Sequence, residues 1–170
     1  MMKPILLILP ILLLLSSANA QSECAVSEPP SFLNLRLGMT VSEVNSMTRP
    51  ELKVKAKSDG ERIFFKNWIN KPAKGNMTGV RAVYLRFFEG RLYDIELFYE
   101  EGFRWPDLES LLSEVNRSSI LTRENWNVKN GYAEADCEGF AVKADQVLGT
   151  HIQLTDMGLF AQVEKSRRSN

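Results

Sequence analysis

Histidine occurs once in this chain and cysteine twice, and neither sign of charge is in excess, with 21 basic and 21 acidic residues among 170. A single histidine, His151, excludes a multi-histidine metal centre and leaves any proton shuttle resting on one ring. Balanced charge argues against nucleic acid as a partner, because phosphate backbones require a basic face. The motifs that act as geometric necessities in the large enzyme classes are missing. There is no His-Glu-x-x-His, no Cys-x-x-Cys, no Gly-x-Ser-x-Gly, no Ser-x-x-Lys, no phosphate-cradling Gly-x-x-x-x-Gly-Lys and no Gly-x-Gly-x-x-Gly. No metal ligand, cofactor or catalytic residue can be assigned from these patterns.

A long apolar run is found only at the start of the chain. Lys3 supplies a positive end, residues 5–15 an apolar stretch broken by Pro10, and Ala18-Asn19-Ala20 a small-residue cleavage site. The run falls short of the roughly 20 residues that span a bilayer. Residues 1–20 therefore read as a signal peptide, with the mature chain starting at Gln21, soluble and without a stable membrane anchor, in a periplasmic or secreted location. Export makes a disulfide between Cys24 and Cys137 the expected state, the alternative being two free buried thiols.

Residues 21–36 read as an N-terminal extension, residues 37–164 as a single α+β domain and residues 165–170 as a basic tail with no apolar side chain to pack. Thr40 and Glu43 form a capping box for a first helix that Pro50 ends. Pro106 suits a first helical position, and Leu108, Leu111, Leu112 and Val115 recur at the spacing of one helix face. Asp156 can cap a brief last helix through Val163. Strands are expected over 53–57, 62–69, 80–87, 91–99, 132–137, 140–144 and 151–154. The expected architecture is an antiparallel sheet with two short helices packed on one face, built from what can be two tandem helix-plus-strands units.

Parity sets the hairpin between 80–87 and 91–99. A regular ladder closed by the two residues Glu89-Gly90 sets Leu85 against Asp94 and puts carboxylates on the apolar face, so a three-residue loop, Phe88-Glu89-Gly90, is expected. That register sends Tyr84, Arg86, Phe88, Leu92, Asp94, Glu96 and Phe98 to the face away from the helices. Tyr84, Arg86, Phe88 and Phe98 are the candidate partner-binding residues, since aromatics mixed with charges on a solvated face suit recognition.

Leu37-Gly38-Met39-Thr40-Val41-Ser42-Glu43-Val44, together with Val83-Tyr84-Leu85-Arg86-Phe87-Phe88-Glu89-Gly90-Arg91-Leu92, resembles the small lipoprotein of the outer-membrane β-barrel assembly machinery and the modules of the β-lactamase inhibitor protein. The resemblance spans residues 37–99. It implies a non-catalytic domain that binds other proteins, here another envelope or extracellular protein. The alternative is a hydrolase or small-ligand-binding protein with a pocket between the two helix-strand units, using His151 or the pair Asp94 and Glu96.

Overall fold

A computed structural model of the chain describes residues 24–48, 52–55, 60–68, 72–102, 105–117, 119–146 and 149–169. The leader and its cleavage site lie outside these residues, as does Pro50. Among these residues three α-helices, α1 (Val41–Thr48), α2 (Leu108–Arg117) and α3 (Met157–Ser169), accompany seven strands. The strands are β1 (Glu61–Asn67), β2 (Val80–Phe88), β3 (Arg91–Tyr99), β4 (Asn127–Lys129), β5 (Tyr132–Cys137), β6 (Phe140–Asp145) and β7 (His151–Asp156). They form one antiparallel sheet in the order β1-β2-β3-β7-β6-β5-β4. Two meanders, one after each of the first two helices, thus meet where β3 pairs with β7.

Local chemistry starts each helix. The Glu43 carboxylate accepts from the Thr40 N–H at 2.7 Å while the Glu43 N–H donates to the Thr40 hydroxyl at 3.3 Å, closing the capping box. Pro106 stands outside α2. Asp107 is the cap instead, accepting from the Ser110 N–H at 2.8 Å; this bond holds its carboxyl below the usual aspartate range. Asp156 likewise accepts from the Leu159 N–H at 2.9 Å. Helix α3 runs on through the basic tail to Ser169, well past Val163.

Helices α1 and α2 press Val44, Leu111, Leu112 and Val115 onto Val83, Leu85, Ile95, Leu97, Val142 and Leu154, all fully or almost fully buried. Trp68, Trp105 and Trp126 are buried in the same core. Helix α3 lies on the opposite face, where buried Val163 and partly buried Leu159 cover Phe88 and Tyr93. Arg167 fastens its far end to Glu61 with two hydrogen bonds, at 2.6 and 2.9 Å, and Tyr93 donates to the same carboxylate at 2.6 Å. Burial pushes the Glu61 carboxyl up, but Arg167 and Tyr93 outweigh it and leave it below the ordinary glutamate value. Residues 53–55 take no part in a strand.

The β2–β3 turn has two residues. Phe88 faces Arg91 across Glu89 and Gly90, which have φ of 48° and 75°, the pair of left-handed conformations that matches strand twist in a tight hairpin. One step further the ladder shifts: Phe87 faces Leu92 while Arg86 faces Asp94, so Tyr93 is an extra residue on β3. This bulge restores the parity that the expected three-residue loop supplied, and Leu85 faces Ile95. It also changes the fate of two residues. Leu92 is fully buried in the α1/α2 core, and Phe88, though on the far face, is covered by α3.

The Cys24–Cys137 disulfide is formed. It is the covalent state that an oxidising, extracytoplasmic compartment supports. Among the described residues no helix is long and apolar enough to cross a membrane.

Candidate functional site: the open face of the sheet

The sheet face away from α1 and α2 is covered by α3 over only part of its area. Strand pairing lines up its side chains in rows. One row runs Ile63, Arg86, Asp94 and Thr155, the next Phe65, Tyr84, Glu96 and Gln153, and a third Ala82, Phe98, His151 and Asp145.

Rings from four strands touch in sequence. Phe65 stacks on Tyr84 at 4.3 Å between centroids, Tyr84 meets Phe98 edge-on at 5.9 Å, and Phe98 stacks on His151 at 4.4 Å. Contacts of this kind add about 0.5–1.5 kcal/mol each beyond area burial and fix ring orientation. Phe65 and Ile63 are nonetheless 46% and 59% exposed, so the row presents apolar surface already ordered. A hollow of about 440 Å³ lies along it, lined by Phe65, Asn67, Arg81, Ala82, Tyr84 and Phe98.

Beside the rings sits a charge network. Arg86 forks between Asp94 and Glu96, reaching the latter at 2.9 Å. Asp94, almost fully buried, also accepts from the Gln153 amide and the Thr155 hydroxyl, each at 2.7 Å. His151 Nε2 stands 3.1 Å from Glu96 Oε1, a charge contact for a protonated ring, but out of line for a hydrogen bond. Burial pushes the Glu96 carboxyl up; His151 and Arg86 overcome that push and hold it below the ordinary glutamate value. Asp94 and Glu96 thus grip one guanidinium, which sits 5.8 Å from the Tyr84 ring. They are not a pair of carboxyls free to act on either side of a substrate bond.

A cleft of about 510 Å³ lies between this face and α3, lined by Arg86, Asp94, Lys143, Asp136, Met157 and Phe160 among others. Of the four residues expected to bind a partner, Tyr84, Arg86 and Phe98 share the open face, and Phe88 is removed from it by α3. Phe65 joins them unannounced. Its strand carries Ile63, Phe64 and Phe65 in succession, so alternation alone cannot say which of them faces outward. Comparisons with protein-family models, with curated proteins and with solved structures find no match to this chain.

Proposed function

We propose that this is an exported, periplasmic or secreted protein-binding module, non-catalytic, that holds another envelope or extracellular protein on the open face of its sheet. The observation that carries the reading is the stacked, partly exposed row of Phe65, Tyr84, Phe98 and His151, buttressed by Arg86 and its two carboxylates. Ordered aromatics cost little entropy on docking and supply large contact area, the property of interface hot spots. The apolar leader with its small-residue cleavage site supports export, and the likeness of residues 37–99 to protein-binding modules agrees with the role. Tyr84→Ala and Phe98→Ala each remove two ring contacts and should lower Tm by no more than about 12 °C, the order of 3 kcal/mol for a chain this long, with the fold retained, while a partner captured by the wild type is lost. A melting loss well beyond that, or capture undiminished in both variants, contradicts the reading.

A second reading, a small-ligand site, has one observation in its favour. The cleft beneath α3 stands over the β3–β7 seam between the two units, and its volume lies within the roughly 300–1,000 Å³ of ligand pockets. On that reading, native mass spectrometry of the protein from its source shows a bound small molecule that Phe160→Asp releases. Unliganded protein at every source concentration speaks against it.

A further inference from the structure

We propose that the outer edge of β1 is a docking surface for an extended strand of a partner protein in which acidic and apolar side chains alternate. The inference rests on reading the protein as a binding module and adds the form of ligand that one edge of it accepts.

Strand β1 ends the sheet. The Trp68 N–H donates to the Arg81 carbonyl at 2.9 Å, and the Glu89 N–H donates to the Gly60 carbonyl at 3.2 Å. In an antiparallel ladder, hydrogen-bonded pairs alternate with unbonded ones. With β1 and β2 in unbroken register, Arg62, Phe64 and Lys66 therefore bond to β2. Glu61, Ile63, Phe65 and Asn67 turn their N–H and C=O groups outward. Among the described residues no backbone hydrogen bond reaches those groups.

Edges left open are usually guarded by proline, a bulge, an inward charge or a covering segment. Strand β1 contains no proline and its register with β2 is free of bulges; its guards are the cations Arg62 and Lys66 on the core side of the sheet, which repel basic strands and not acidic ones, and Ile63 and Phe65 are two of the most exposed large apolar side chains among the described residues. Residues 52–55 pass nearby without closing the ladder, because the Asn45 side chain takes both the N–H and the carbonyl of Val54, each at 2.8 Å. A gap of about 290 Å³ is left between them and β1.

The charges around that gap select the ligand. Among the described residues Lys53, Lys55 and Arg62 line it and no acidic residue does, and the Arg62 Nε is buried without a hydrogen-bond partner. An added strand lies about 4.8 Å from β1 and sends alternate side chains to opposite faces. One set meets Ile63 and Phe65 and must be apolar. The other meets Phe64 between Arg62 and Lys66, with the two lysines alongside, and is acidic where it faces these cations. A second copy of this chain fits poorly: the antiparallel register that sets Ile63 against Phe65 of the other copy sets Arg62 against its Lys66.

The test titrates the full chain with blocked peptides of seven residues, the length of β1, one alternating valine with glutamate and one valine with lysine. The glutamate peptide should bind at least about tenfold more tightly, and added salt should weaken it. Ile63→Pro deletes only an outward N–H, a position where an edge strand tolerates proline. It should cut the affinity at least about tenfold with circular dichroism and Tm retained. Equal binding of the two peptides, or affinity unchanged in Ile63→Pro, overturns the proposal. If that variant does not fold, Lys53→Glu with Lys55→Glu takes its place, both side chains being exposed, and retained affinity again overturns it. A wild-type dimer that Ile63→Pro splits into monomers makes a second copy the occupant and is equally fatal. Native partner capture is scored separately on Tyr84→Ala, so failure of the peptide alone removes the edge and leaves the open face standing.

Discussion

Reduction of the Cys24–Cys137 bridge, or Cys137→Ser, should lower the unfolding free energy by about 4–5 kcal/mol, the largest effect expected of any single covalent change here. The bridge spans 113 residues, so the unfolded chain gains the freedom of a long loop when it opens. The native state loses little geometry to set against that gain. Cys24 is buried, its carbonyl accepts from the Glu138 N–H at 3.3 Å, and the segment it begins places Phe32 and Leu35 in the core. Urea titration of oxidised and reduced protein is the measurement. The reduced form should unfold at lower urea with a larger m-value, because an uncrosslinked chain exposes more surface. A difference under about 1 kcal/mol means that residues 24–36 come loose from the native state when the bridge opens, or that the unfolded chain stays compact without it, so that the two states differ little in the freedom gained.

What the sequence makes legible divides by range. Helix caps are local, and the Thr40–Glu43 box and the Leu111, Leu112, Val115 stripe read correctly because they involve neighbours within one turn. Parity is also local, yet it counts residues only as odd or even. A three-residue loop, and a two-residue loop followed by a bulge at Tyr93, therefore predict the same facing for Tyr84 and Asp94 but opposite fates for Leu92. The end of α3 was hidden for a different reason. Residues 165–168 offer nothing apolar, and the helix is held there by Arg167 reaching Glu61 across 106 positions, a partner that no window of sequence contains. Val163 and Leu159 of the same helix roof Phe88. The open face was half legible: alternation placed Tyr84 and Phe98, whereas Phe65 joins them through the β1–β2 pairing and His151 because β7 lies beside β3.

Arg86→Met should destabilise the protein by about 3–5 kcal/mol, because it strands a buried carboxylate. The side chain of Asp94 is 3% exposed, and without Arg86 its remaining partners are the neutral donors Gln153 and Thr155. Removing both charges, as in Arg86→Met with Asp94→Asn, should recover a large part of the loss, since a well-filled neutral pair carries no desolvation penalty. The size of that recovery separates a pair kept for stability from one kept to hold Tyr84 and Phe98 in place. Acid supplies the second test. Glu96 has its carboxyl held below the ordinary value of 4.5 by His151 and Arg86 against the push of burial. A carboxyl depressed in the folded state adds stability above its unfolded value, and that stability is lost as pH falls through the folded one. Wild-type stability should therefore decline below about pH 4.5, and the decline should be shallower in Arg86→Met, where one of the two groups depressing Glu96 is gone. The two unfolding curves should converge toward acid. Parallel curves from pH 6 to pH 3 would mean that Arg86 does not hold the Glu96 carboxyl down, and that no charge network through Glu96 reaches His151.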